Sequence, residues 1–206
     1  MYRVFCFGDS NTWGFNPSNG LRFPEDDRWT GVLRKTLGSG FEIIDDGQNG
    51  RQILDSVGHF NSQVKLNMPL DVVIIYLGIN DIFFNPDLPV FKMLDGIREM
   101  FKAVKDNCSE YNEQLPEIIL LGPLPVNSTQ AVDGLYEIEA VKAADFNRKL
   151  QEFAVLEGLG YIDTGRIIRS CEADGVHIEA TEHRKLGVSA ADYVKKILKN
   201  ANLKQS

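Results

Sequence analysis

Four short runs of this chain are apolar almost without interruption: Tyr2–Phe7 (YRVFCF), Phe41–Ile44 (FEII), Val72–Leu77 (VVIIYL) and Glu117–Leu121 (EIILL). A weaker fifth lies at Tyr161–Asp163 (YID). A strand with one wet face alternates polar and apolar residues, whereas a strand buried on both faces reads as a continuous run. These runs therefore need cover on both sides, and the segments between them have helical spacing. Trp29, Val32, Leu33 and Leu37 form one stripe; Val90, Phe91, Leu94, Ile97, Met100, Phe101 and Val104 form another. Within Leu135–Leu156 the stripe is Ile138, Val141, Phe146, Leu150 and Phe153. A last helix, from about Glu182, uses Leu186, Val188, Tyr193, Val194, Ile197 and Leu198. Alternation of strand and helix predicts an α/β fold, a parallel sheet with helices on both faces.

The 206 residues suit one domain over 1–206, with no repeat, low-complexity tract or dividing linker. Formal net charge is −7 and no Lys/Arg cluster interrupts it, which argues against nucleic-acid and anionic-membrane partners. No apolar run approaches membrane-span length, and MYRVFCFGD reads as a first strand rather than a signal peptide. Cys6, Cys108 and Cys171 make an odd count without CxxC, as expected of unbridged thiols in a cytoplasmic protein. Cys6 is expected to pack inside the first strand. Phe15–Asp27 and Pro123–Gly134 read as long loops, and the polar tail Asn200–Ser206 is expected to fray.

In an open parallel sheet the working residues sit beyond the carboxyl ends of the strands. Gly8-Asp9-Ser10 follows the first run. DDGQNGRQ, with Gly47, Asn49 and Gly50, follows the second; Gly78-Ile79-Asn80-Asp81 follows the third; Asp174-Gly175-Val176-His177 precedes the last helix. One hydroxyl, glycine backbone, a carboxamide and an acid–imidazole pair should gather at one edge. Those parts suit acyl transfer through a serine ester. Ser10 needs a base to take its proton, His177 can be that base, and Asp174 can orient the imidazole. The N–H groups of Ser10 and Gly50 and the NH2 of Asn80 can serve as the oxyanion hole.

At these positions the sequence resembles the SGNH hydrolases, also called GDSL-type esterases and lipases. GDSNTWG matches their nucleophile block at Ser10, DDGQNGRQ their second block with its oxyanion glycine at Gly50, and GIND their third with the oxyanion asparagine at Asn80. DGVHIEATEHRKLG matches the last, with Asp174 and His177 as acid and base. Together with RWTGVL at Arg28–Leu33, the blocks look like the arylesterase and acyltransferase branch. The resemblance implies a three-layer α/β/α, flavodoxin-like five-stranded sheet, a small-molecule ester substrate, no metal, no other cofactor and frequently homo-oligomeric states. The Arg51–Pro69 stretch is shorter than in acyltransferase members, which use that region in subunit contacts.

Other readings exist for several residues. Asp9 adjoins Ser10 and is expected to brace the turn, Asp81 to cap a helix or brace a loop, and Asp163 is the rival to Asp174. His59 and His183 are expected to be partly exposed structural residues; neither makes a metal-ligand pattern. Trp13, Phe15 and Phe83 are candidate substrate-pocket walls, with Phe84 beside them, and Trp29 is expected in the core. Asn16, Asn19, Arg22 and Arg51 are candidates for a polar sugar site. The enzymatic alternatives are carbohydrate acetylesterase and thioesterase or lysophospholipase; the non-enzymatic one is a silent binding module. No GxGxxG follows the first strand, which sets dinucleotide binding aside.

Overall fold

The computed structural model describes residues 1–126, 137–172 and 174–205. Five parallel strands form one sheet in the order β2-β1-β3-β4-β5: β1 Tyr2–Gly8, β2 Phe41–Gly47, β3 Val72–Tyr76, β4 Glu117–Leu121 and β5 Gly160–Ile162. The chain leaves β1 to one side for β2 and returns on its other side for β3. The crevice at such a reversal is where open α/β sheets bind ligands.

Period-two alternation divides each central strand between two cores. Val4, Cys6, Ile74, Tyr76, Ile119 and Leu121 face helices α2 (Trp29–Leu37) and α7 (Ala180–Gln205). Phe5, Phe7, Val73, Ile75, Ile118 and Leu120 face α3 (Ile53–Asn67), α5 (Val90–Tyr111) and α6 (Glu137–Glu157). This is the expected three-layer sandwich, and the unbroken apolar character of the runs is its direct cause. Cys6 and Trp29 are fully buried, as expected. Two short helices, α1 (Ser10–Trp13) and α4 (Ile79–Phe84), complete the described α-helices.

Some boundaries differ from the sequence reading. β2 continues through Asp45-Asp46-Gly47 in register with Cys6-Phe7-Gly8. Its polar end is tolerated because β2 is an edge strand whose carboxylates find partners: Asp45 takes Arg28 and Thr30, and Asp46 takes Arg51 and His59. β5 begins one residue earlier, at Gly160. The helical character of Ile53–Asn67 is obscured by Gly58, Asn61 and Ser62, yet Ile53, Ser56, Phe60 and Val64 make a clean buried stripe. Ile138 and Val141 were expected on the buried face of α6, but they are 74% and 71% exposed. Val141 precedes Phe146 by five residues, which places it about 140° around the helix from it. Phe91 and Val188 are likewise exposed members of their stripes.

The loop from Phe15 is closed by an antiparallel bridge between Phe15 and Arg22 and ends in a 3-10 turn at Glu25–Asp27. Of the second long loop, residues 127–134 lie outside the described residues. The α7 backbone is helical to Gln205, where fraying was expected. No described helix is long and apolar enough to cross a membrane.

Gly47 sets how closely the end of β2 approaches α1, since a Cβ there would lie 2.1 Å from the Trp13 backbone nitrogen. Overpacking of this kind costs about 1–3 kcal/mol. Gly47→Ala should therefore lower the thermal midpoint and displace α1. Gly58→Ala, with open space around the new methyl, should raise stability by about 0.5–1 kcal/mol. Thermal unfolding of the two variants side by side checks this.

Candidate active site

β1 ends at Gly8, where the chain turns sharply into the single turn of α1. A four-residue helix has no interior hydrogen bonds to spare, so its cap matters. The Asp9 carboxylate accepts from Asn11 N–H at 2.9 Å, and the Asp9 carbonyl accepts from the N–H groups of Thr12 and Trp13. Gly8 is packed so tightly that a Cβ would strike the Thr12 hydroxyl. The turn carries Ser10 to the carboxyl rim of the sheet.

His177 arrives there from the loop between β5 and α7. Its Nε2 lies 2.9 Å from Ser10 Oγ, and its Nδ1 lies 2.7 Å from Asp174 Oδ2. Asp174 Oδ1 accepts from the N–H groups of Val176 and His177, each at 2.9 Å, and from the Cys171 thiol at 3.1 Å. Burial alone would raise the Asp174 carboxyl; the hydrogen bonds from His177, Val176 and Cys171 outweigh it and hold the acid well below the usual carboxylate range. An ionised Asp174 places the ring proton on Nδ1 and leaves Nε2 to accept from the Ser10 hydroxyl. Asn11 Nδ2 reaches the Val176 carbonyl at 3.4 Å and ties this loop back to α1. The Phe15 ring packs on the imidazole, centroids 4.3 Å apart.

The turns after β2 and β3 leave the same rim of the sheet. Gly50 has φ of +73°, the left-handed region that favours glycine. Asn80, in the first turn of α4, donates one Nδ2 hydrogen to the Arg51 carbonyl at 3.0 Å, which joins the two turns. Among the described residues, neither the Ser10 nor the Gly50 N–H donates to a backbone carbonyl.

The rival acid is elsewhere engaged: Asp163 pairs with Arg166 at 3.0 Å. Asp9 caps α1, and burial raises its carboxyl to about 6. Asp81 accepts the Ile53 N–H with both oxygens, at 3.0 and 3.1 Å, and so caps α3 from a neighbouring helix; burial raises it to about 7. Arg51, a sugar-site candidate, is instead 4% exposed. It donates to the carbonyls of Gly8 and Asp46 and to the Asp46 carboxylate, with its guanidinium 4.0 Å from the Phe7 ring centre. It buckles β1 to β2 just below Ser10, a role that its place after an Asn-Gly turn does not announce. Asn16 and Asn19 accept from nearby backbone N–H groups. Arg22 lies over the Trp13 ring and donates to the Trp13 carbonyl. Phe83 packs against the α3/α5/α6 core, while Phe84 is exposed.

His59 is exposed and pairs with Asp46 at 2.9 Å. His183, expected to be partly exposed, is fully buried. Its Nδ1 accepts from Trp29 N–H at 3.3 Å at the start of α2, and its ring meets Phe23 edge-on. This position in the first turn of α7 points inward because α2 packs across it.

The chain belongs to the GDSL-like Lipase/Acylhydrolase family, whose model matches residues 6–185, and is a carboxylic ester hydrolase. A comparison with curated protein sequences returned no match. Among solved structures, a carbohydrate acetylesterase from Sinorhizobium meliloti is 26% identical, with TM-score 0.84 over 96% of this chain and 100% of that one. A carbohydrate acetylesterase family member from the same organism is 28% identical, with TM-score 0.87 over 97% and 100%. The inhibitor-bound aryl esterase of M. smegmatis is 28% identical, with TM-score 0.83 over 95% and 99%. The architecture is that of the SGNH hydrolases.

Burial, with the positive charges of Arg28 and His177, lowers His183 from 6.5 to about 3. Between those values the unfolded chain binds the proton that the native ring refuses, so stability is lost as pH falls through that window. In thermal unfolding, His183→Gln keeps an acceptor for Trp29 N–H and should show a shallower loss between pH 6.5 and pH 4 than the parent chain. Equal slopes would contradict the buried neutral ring.

Proposed function

We propose that the protein hydrolyses short-chain acyl esters, of acetyl or aryl type, through an acyl-Ser10 intermediate. The observation that carries this reading is the continuous hydrogen-bonded path Ser10–His177–Asp174. Ser10 Oγ attacks the ester carbonyl carbon as its proton passes to His177 Nε2. The negative charge that develops on the carbonyl oxygen is met by the N–H groups of Ser10 and Gly50 and by the free Nδ2 hydrogen of Asn80. The tetrahedral adduct collapses, the alkoxide leaves with the proton from His177, and the acyl group stays on Ser10. Water, deprotonated by the same imidazole, then attacks the acyl carbon and releases the acid and Ser10. Asp174 stabilises the imidazolium in both halves and keeps its own charge.

Phe15 is the aromatic we assign to the acyl side. Its ring lies against the imidazole, and the Phe15–Arg22 bridge fixes the loop that bears it. A wall so close to the reacting centre favours acetyl over long chains. The acetylesterase and aryl esterase titles of the similar structures support the same acyl size and leave the alcohol to be measured. We place the reaction with small-molecule esters, acetylated sugars included, and with hydrolysis rather than transfer.

Ser10→Ala should reduce kcat by roughly a thousandfold or more and abolish labelling by a fluorophosphonate at a single serine. A parent chain that takes no label would make a silent binding module the better account, and labelling that survives Ser10→Ala would place the nucleophile on another residue. Rates on one alcohol should fall from acetyl to decanoyl esters, and a steady rise would contradict the Phe15 wall. A parallel panel of aryl acetates, acetylated sugars and acyl thioesters assigns the alcohol.

A further inference from the structure

Asp174 gives Oδ2 to His177 and holds Oδ1 against three donors. Two of these, the N–H groups of Val176 and His177, are made within the turn that Asp174 itself begins. The third is a side chain, the Cys171 thiol at 3.1 Å, in a residue 4% exposed. Cys171 also grips the turn through its backbone. Its N–H donates to the His177 carbonyl at 2.7 Å, and its carbonyl accepts from Gly175 N–H at 3.0 Å. One residue thus fastens both ends of the Asp174–His177 turn and its central carboxylate.

We infer that Cys171 is a positioning residue of the active site, whose S–H holds the Asp174 carboxylate in the rotamer that reaches His177. The inference rests on the esterase reading and goes beyond it. A thiol is a weak donor, but here the acceptor is an ionised carboxylate in a half-buried site, where a charged partner strengthens the bond. Without the thiol the two backbone donors still hold Oδ1, but the carboxylate tilts more easily, which misaligns the imidazole against Ser10 and slows both proton transfers. Substrate binding should be untouched, because the Cys171 thiol is buried and bonds the Asp174 oxygen opposite the one that takes the imidazole. The thiol bond also draws charge off Oδ1; without it the carboxylate stabilises the imidazolium more strongly. Asp9 also acts on His177 through its charge, His183 lies close enough to feel the charge of His177, and Arg28 acts on His183. All of these are unchanged in the variants below.

The test is a three-member series on the full chain, Cys171→Ala, Cys171→Ser and Cys171→Val, with Ser10→Ala as control. Active sites are counted by fluorophosphonate titration, and folding is checked by thermal unfolding. Cys171→Ala should lower kcat roughly fivefold at nearly unchanged KM, as expected for one weak donor to a charged acceptor. The acid limb of its pH–rate profile should move to higher pH. Cys171→Ser, which keeps a donor, should recover most of kcat and return the limb to its original place. Cys171→Val fills the space without donating and should behave as Cys171→Ala; it answers the question if the alanine variant does not fold. Parental kcat and pH profile in both Ala and Val variants would overturn the inference. So would a serine variant as slow as alanine with an unmoved limb, since packing alone would then explain the loss. Activity that survives Ser10→Ala would instead refute the esterase reading beneath it.

Discussion

Asp174 accepts hydrogen bonds on both carboxylate oxygens, from His177 on one side and from Val176, His177 and Cys171 on the other. That arrangement fixes the imidazole, and the imidazole in turn reaches a hydroxyl 167 residues earlier in the chain. A link between such distant residues is cheap only when something else has already brought them together. The parallel sheet does so. Every strand points its carboxyl end to the same rim, so the turns after β1, β2 and β3 and the loop after β5 meet regardless of their separation in sequence.

The rim is held by buried polar groups whose cost is visible in their protonation. Asp9 and Asp81 are each pushed upward by burial, to about 6 and about 7, although both accept backbone hydrogen bonds. Each raised carboxyl loses stability as pH rises from its ordinary value toward the shifted one, because the native state then binds the proton that the unfolded chain releases. What they supply is shape. Asp9 starts the one-turn helix that presents Ser10, and Asp81 starts α3 just after the Gly50 turn. Arg51 completes the frame by holding the ends of β1 and β2 together from below. Departures from the cheapest packing are expected where function sets the geometry.

The central strands and the residues at their carboxyl ends were legible because burial on both faces writes a continuous apolar run and a glycine-bearing turn ends it. Phe5 and Cys6 leave no ambiguity about β1. The polar end of β2 was not legible, since Asp45 and Asp46 look like loop until their partners on α2, α3 and Arg51 are known. α3 was hidden by Gly58 and by Asn61 and Ser62, and the burial of His183 could not be read from α7 alone because α2 creates it. Ile138 and Val141 misled in the other direction, as apolar residues turned away from the core. Ser10, His177, Asp174 and Asn80 were singled out as candidates by position relative to the strands, and the structure brings Ser10, His177 and Asp174 into one hydrogen-bonded line. Arg51 was one of four candidates for a polar sugar site, and its guanidinium is engaged in the frame. Cys171 was read only as one of three unbridged thiols, because nothing in its spacing reveals that it lies against Asp174.

The central claim is that the hydroxyl of residue 10, activated through His177, becomes covalently acylated during turnover. Acid-quenched mass spectrometry of the enzyme mixed with an activated aryl acetate tests it most directly. The account predicts an acetyl group on the peptide containing Ser10, formed within one turnover and lost on standing with water. Turnover without any acylated peptide, or with the acetyl group on another residue in kinetically competent amount, would contradict it.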